Sequence, residues 1–170
     1  TIQGAGRGSA DWSPDGKWIV AAGSDVQGSG LFIISVDGSA PVRRLVSGEL
    51  VNPVWSPNGA LIVYGGPVVG GQVPLLGVRP DGTPVELPKV RAGLGGGHRF
   101  LPNGTGLVYL PRSQSLDFWL LDLATNKTRP LTRLSDHGSL RTFDITPDGT
   151  AIVFDRSREN SDIVLIDLPK

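Results

Sequence analysis

Apolar residues in this chain fall into short dense runs rather than a helical stripe. Four such runs are Trp18-Ile19-Val20-Ala21, Leu61-Ile62-Val63-Tyr64, Leu107-Val108-Tyr109-Leu110 and Ala151-Ile152-Val153-Phe154. Their length and their β-branched and aromatic content predict strands. Being apolar at successive positions, they predict strands covered on both faces, as stacked sheets would cover them. A polar turn precedes each run: Trp12-Ser13-Pro14-Asp15-Gly16, Trp55-Ser56-Pro57-Asn58-Gly59, Phe100-Leu101-Pro102-Asn103-Gly104 and Ile145-Thr146-Pro147-Asp148-Gly149. Proline presets φ, Asn or Asp bonds back to the local backbone, and glycine takes positive φ, so each is a hairpin turn with a mechanism.

The motif prolines are 43, 45 and 45 residues apart, which marks a repeat architecture. A third strand is predicted in each unit at Leu31-Phe32-Ile33-Ile34, Pro74-Leu75-Leu76, Phe118-Trp119-Leu120-Leu121 and Ile163-Val164-Leu165-Ile166. A more polar fourth strand follows at Val42-Arg43-Arg44-Leu45, Pro84-Val85-Glu86-Leu87 and Thr128-Arg129-Pro130-Leu131, with Pro130 suited to an outer edge. No stretch carries a helical period. The expectation is an all-β chain, a β-propeller of four four-stranded blades of about 44 residues each. It treats 1–170 as a single domain with repeats at about 9–50, 51–93, 96–136 and 139–170.

The pattern of aromatic-Ser-Pro-Asp-Gly-Lys, an apolar strand, an Ile/Leu-Asp-Leu strand and Arg-x-Leu-Thr resembles the TolB-like, WD40-like (PD40-type) β-propeller repeat. Trp12 to Val20, Thr146 to Phe154, Leu121-Asp122-Leu123, Ile166-Asp167-Leu168 and Arg129-Pro130-Leu131-Thr132 carry it. No Trp-Asp dipeptide occurs, which sets the chain apart from true WD40 repeats. The tail from Phe143 to Leu168 resembles the C-terminal sensor propellers of bacterial kinases and transcriptional regulators. The resemblance implies a protein- or peptide-binding scaffold, and an extracytoplasmic, periplasmic site ahead of a cytoplasmic one.

The last unit runs out before its outer strand. Eight residues separate Leu123 from Leu131, and the same count from Leu168 passes Lys170. Ile2 lies ten residues before Trp12, as Leu45 lies ten before Trp55, so Thr1-Ile2-Gln3 is the candidate closing strand. Three completions stand open: a closed ring of four blades, two chains forming one larger ring, or a fragment of a longer propeller. Exposed blade faces and strand edges favour self-association, as a homodimer.

Composition removes several function classes. Sixteen basic and sixteen acidic residues cancel, so there is no electrostatic footprint of a nucleic-acid partner. No apolar stretch is long enough for a membrane-spanning helix. With no cysteine there is no thiolate metal site, disulfide or cysteine nucleophile.

The two histidines, His98 and His137, have no ligand spacing, and no Gly-x-Ser-x-Gly accompanies them. The glycine clusters at Gly4 to Gly8 and Gly93 to Gly97 do not complete a dinucleotide fingerprint and are expected as inter-blade linkers. The expectation is therefore no catalytic residue, no cofactor and no metal. Residues just ahead of the motif proline belong to the innermost strands, which line a propeller's channel. His98, Arg99, Arg141 and Asp144 are the candidates for a polar mouth that binds a partner. The alternative function is a sensory or substrate-gating propeller within a larger enzyme, such as a receptor kinase, peptidase or lyase.

Overall fold

The computed structural model describes residues 10–93, 97–111, 117–134, 140 and 142–155. Thr1 to Gln3, His137, Arg141 and the strand expected at Ile163 to Ile166 lie outside them. Among the described residues there is no helix, hence none long and apolar enough to cross a membrane.

The strands group into sheets in chain order. The first blade is β1 (Ala10–Trp12), β2 (Trp18–Asp25), β3 (Gly28–Ser35) and β4 (Arg43–Ser47), paired antiparallel in that order. The second is β5 (Val51–Trp55), β6 (Ile62–Gly65), β7 (Gln72–Val78) and β8 (Pro84–Val85), with β9 (Arg91–Gly93) also on β7. The third is β10 (His98–Phe100), β11 (Gly106–Tyr109), β12 (Trp119–Asp122) and β13 (Thr128–Pro130). Of the fourth, β14 (Phe143–Ile145) and β15 (Ile152–Phe154) are described.

The second blade differs from expectation at its outer edge. The strand expected over Pro84 to Leu87 ends at Val85. β9, from a stretch expected to run into the linker, then pairs with the other half of β7, Gln72 opposite Gly93 and Pro74 opposite Arg91. β7 is long enough to take two partners, and Pro88, which has no N–H to offer a ladder, falls between them.

The hairpin turns are built alike. Gly16 N–H donates to the Ser13 carbonyl at 2.9 Å, the Ser13 hydroxyl donates to Asp15 at 2.6 Å, and Trp18 N–H donates to that hydroxyl at 2.9 Å. Ser56 and Asn58 repeat this around Gly59. In the third blade Leu101 replaces the serine, and the Thr105 hydroxyl bonds Asn103 instead, at 2.8 Å. The four motif glycines have φ between 69° and 71°, which only glycine adopts without strain.

Side chains alternate between neighbouring blades along each strand. Val20, Leu31 and Ile33 of the first blade pack on Trp55, Ile62, Tyr64 and Val78 of the second. The second presents Val63, Val73 and Leu75 to Phe100, Leu107 and Tyr109 of the third. The third presents Val108, Leu110 and Phe118 to Phe143, and the Phe118 and Phe143 rings meet edge-on with centroids 4.9 Å apart. Both faces of a middle blade are therefore interior, as the unbroken apolar runs predict. Burial of these stacked faces is the main driving force for the array.

The turns stack as well. A Cβ at Gly59 would lie 3.8 Å from Pro14 Cδ, one at Gly104 3.8 Å from Pro57 Cδ, and one at Gly149 3.4 Å from Pro102 Cδ. Pro14, Pro57 and Pro102 thus each abut the glycine of the next blade's motif.

Candidate functional site

The four innermost strands, β1, β5, β10 and β14, bound a cavity of about 520 Å³. Asp11, Asn52, Arg99, Thr142 and Asp144 give it polar walls. Asp11, Val54, Arg99 and Asp144 occupy the same place in their units, three residues before the motif proline. On a strand this position and its neighbours point to opposite sides. The residue three before the proline turns toward the following blade, and those two and four before it turn toward the preceding one.

That alternation separates two of the expected mouth residues. Arg99 and Asp144 come together at the cavity, with Arg99 Nε 3.8 Å from Asp144 Oδ1. Arg99 also donates from Nη1 to the His98 carbonyl at 2.9 Å, and its guanidinium lies 5.9 Å from the Phe143 ring centroid. The pair is exposed to solvent, so its attraction is worth at most about 1 kcal/mol, and both groups stay available to a partner.

His98 does not join them. Its side chain is 1% exposed and points into the second blade, where Nε2 donates to the Val63 carbonyl at 3.1 Å. A carbonyl can only accept, so Nε2 carries the proton. Burial pushes its pKa down from 6.5 to about 4, and the Arg99 charge adds to this against the Val63 bond. His98 is a neutral inter-blade clamp rather than a rim group. Arg141 lies outside the described residues.

Three polar residues of the cavity wall, Asp11, Asn52 and Thr142, were not among the expected ones. Asp11 could have been found from its place, since it is to the first unit what Asp144 is to the fourth. Its Oδ2 accepts from Trp55 N–H at 2.7 Å, so it bridges blades as well as lining the cavity. Asn52 takes a left-handed φ of 50°, a conformation that asparagine tolerates better than most residues. Thr142 N–H donates to Asp155 Oδ1 at 2.7 Å, which positions the entry to β14. Among the described residues no three His, Cys, Asp or Glu side chains converge as metal ligands would.

Inner strands around a central cavity and sheets stacked face to face define a β-propeller array. No protein-family model matches the sequence, and no curated protein matches it either. Solved structures do. TolB from Agrobacterium tumefaciens is 24% identical, with a TM-score of 0.64 over 89% of this chain and 60% of that one. A nidogen/laminin complex contains a chain 18% identical, with a TM-score of 0.64 over 86% of this chain and 54% of that one. The S511A mutant of puromycin hydrolase, complexed with PGG, is 19% identical, with a TM-score of 0.64 over 86% of this chain and 24% of that one. The fold is that of a TolB-like β-propeller. The chain spans less than two thirds of the length of each of these structures.

Proposed function

We propose that the chain is a non-catalytic propeller scaffold that binds a protein or peptide at its channel mouth and associates with itself through its open ends. The observation that carries this reading is the cavity bounded by the four inner strands, where Arg99 and Asp144 stay solvent-accessible beside Asp11. Opposite charges on a concave wall suit the backbone and side-chain dipoles of an extended segment better than an apolar small molecule. Arg141 is assigned to the same mouth from its place in the sequence. The nidogen/laminin complex supports the reading in kind, because a chain of this fold is present in that complex. An extracytoplasmic location goes with it.

The test is capture from a displayed peptide library by the immobilised chain, repeated with Arg99→Glu and Asp144→Lys. Peptides enriched by the parent chain and lost by both variants support the reading. Identical enrichment by all three would sink it.

The second reading is a sensory or substrate-gating propeller within a larger enzyme. Puromycin hydrolase favours it, since this chain aligns with only 24% of that protein. A reading frame that continues from this chain into a hydrolase or kinase domain would decide for it.

A further inference from the structure

We propose that the groove between the motif turns of the first and second blades binds a proline-rich segment in the polyproline II conformation, with a basic residue of that segment against Asp15. This is a second site beside the channel cavity, with which it shares Trp55 and Pro57, and it does not rest on Arg99 or Asp144.

The groove has a volume of about 330 Å³, and every residue that lines it lies in the first two blades, between Ser13 and Pro80. Trp18 and Trp55 give it aromatic surface. Pro14, Pro57 and Pro80 add three rings, and Asp15 is the one charged residue on its walls. These walls are held by contacts that need no ligand. Trp55 is buried in the cluster that includes Val20 and Ile33 of the first blade. Arg43, on the outer strand of the first blade, donates from Nη2 to the Pro80 carbonyl at 2.8 Å and so holds the turn after β7 toward that blade. A partner meets a surface already formed, which keeps the ordering cost low on the protein's side.

The repeat shows which of these residues the fold itself requires. At the equivalent places between the second and third blades, Leu61 stands for Trp18, Phe100 for Trp55 and Asn58 for Asp15. That interface packs on Leu61 and Phe100, and the Asn58 turn makes the same hydrogen bonds as the Asp15 turn. Two indoles and a carboxylate at the first interface exceed what blade stacking and turn formation use.

The excess groups have unused hydrogen-bonding capacity. Trp55 is 6% exposed, and its Nε1 has no acceptor among the described residues. The indole N–H of the half-buried Trp18 has none among them either. Asp15 takes both of its hydrogen bonds, from the Ser13 hydroxyl and the Lys17 N–H, on Oδ1, which leaves Oδ2 open. Those bonds hold the carboxyl below its usual range, so it is charged at neutral pH.

A polyproline II segment matches this set. It has no internal hydrogen bonds, so its carbonyls are free to accept from an indole N–H. Its rings lie against aromatic and proline walls, and its preset conformation loses little entropy on docking. Asp15 selects a flanking arginine or lysine. An apolar small molecule would cover the rings but leave the N–H groups and the carboxylate without partners.

The test is fluorescence anisotropy at low salt with three labelled peptides: a short oligoproline led by arginine, the same peptide led by glutamate, and an arginine-led glycine–serine peptide of equal length. The chain is compared with Trp18→Leu and Asp15→Asn, each the residue that the second unit carries at that place, and with Arg99→Glu at the mouth. The arginine-led oligoproline should bind best. Its affinity should fall about tenfold in Trp18→Leu, as for an aromatic anchor, and stay unchanged in Arg99→Glu. In Asp15→Asn it should fall roughly threefold, with the preference over the glutamate-led peptide lost. If Trp18→Leu does not fold, Asp15→Asn decides, and a retained preference for arginine overturns the proposal. No binding of either oligoproline, equal binding of the glycine–serine peptide, or binding unmoved by both groove substitutions overturns it. Loss in Arg99→Glu with Trp18→Leu unaffected moves the peptide to the mouth, which overturns the groove and supports the reading above. Self-association of the parent chain that Trp18→Leu abolishes, measured by light scattering, would seat a second copy in the groove and overturns the proposal too.

Discussion

The Asp11 carboxylate of the first blade accepts the backbone N–H of Trp55 at the inner edge of the second, at 2.7 Å. Strand pairing within a sheet cannot reach between blades, so this bond fixes their relative height where the two inner strands meet. Trp55 is buried, and an unpaired N–H there would keep its desolvation cost. Asp11→Ala should lower stability by about 1–3 kcal/mol. Asp11→Asn, which keeps an acceptor oxygen, should lose less than half of that. Urea unfolding of the three proteins at neutral pH checks both.

His98 makes stability pH-dependent from within the second inter-blade contact. Its pKa is about 4 in the fold and near 6.5 unfolded, because burial disfavours the imidazolium. The folded state therefore binds fewer protons between these values. The stability that the neutral ring secures is complete above about pH 6.5, falls as pH drops toward 4, and then levels off. A shift of that size corresponds to roughly 3 kcal/mol. His98→Gln, which can still donate to Val63 but does not titrate, should flatten this part of the profile. The turn carboxylates act lower. Hydroxyl hydrogen bonds from Ser13 and Thr146 lower Asp15 and Asp148, and Ser35 helps bring Asp37 to about 2. Their contribution is present above about pH 3.8 and is lost below it, as a second and separate step. Thermal melts across the acid range distinguish the two.

The turns and inner hairpins were legible because their chemistry is local. Pro14-Asp15-Gly16 specifies its own hydrogen bonds within a few residues, and it does so again at Pro57, Pro102 and Pro147. The outer edge of the second blade was not legible in the same way. Whether Glu86 or Arg91 continues the ladder depends on the length of β7, which is set by packing on two other blades. At the site, sequence spacing brought Arg99 and Asp144 to the channel. It could not separate His98 from Arg99 without the phase of the strand. Once the phase is fixed by Phe100 facing the second blade, alternation sends His98 the same way and Arg99 the other.

Gly106 opens β11 where a larger residue has no room. A Cβ there would lie 2.7 Å from the Leu121 carbonyl oxygen and 2.8 Å from Leu120 Cδ1. The leucine side chain could turn aside, but the carbonyl belongs to the strand paired with β11 and cannot move without disturbing the ladder. Gly106→Ala should cost about 1–3 kcal/mol, the usual range for overpacking, despite alanine's lower chain entropy. Denaturant midpoints of the variant and the parent chain give the difference. A neutral or stabilising result would mean that β11 and β12 separate more easily than their register implies.

Val63 and Val153 occupy one position of the repeat, and the first is fully buried while the second is 63% exposed. Val63 is enclosed by the third blade, while Val153 lies on the outer side of the fourth. Removing two methyl groups from an enclosed site loses their burial and leaves a cavity, so Val63→Ala should destabilise the chain by about 2 kcal/mol. Val153→Ala should change the unfolding free energy of a dilute monomer by under about 0.5 kcal/mol, as surface substitutions do. The two substitutions are chemically identical, so propensity and unfolded-state effects largely cancel in the comparison. The difference measures what the following blade contributes at this position. Equal losses at high dilution would mean that Val153 is covered within the single chain, which would place another part of the same molecule against the fourth blade.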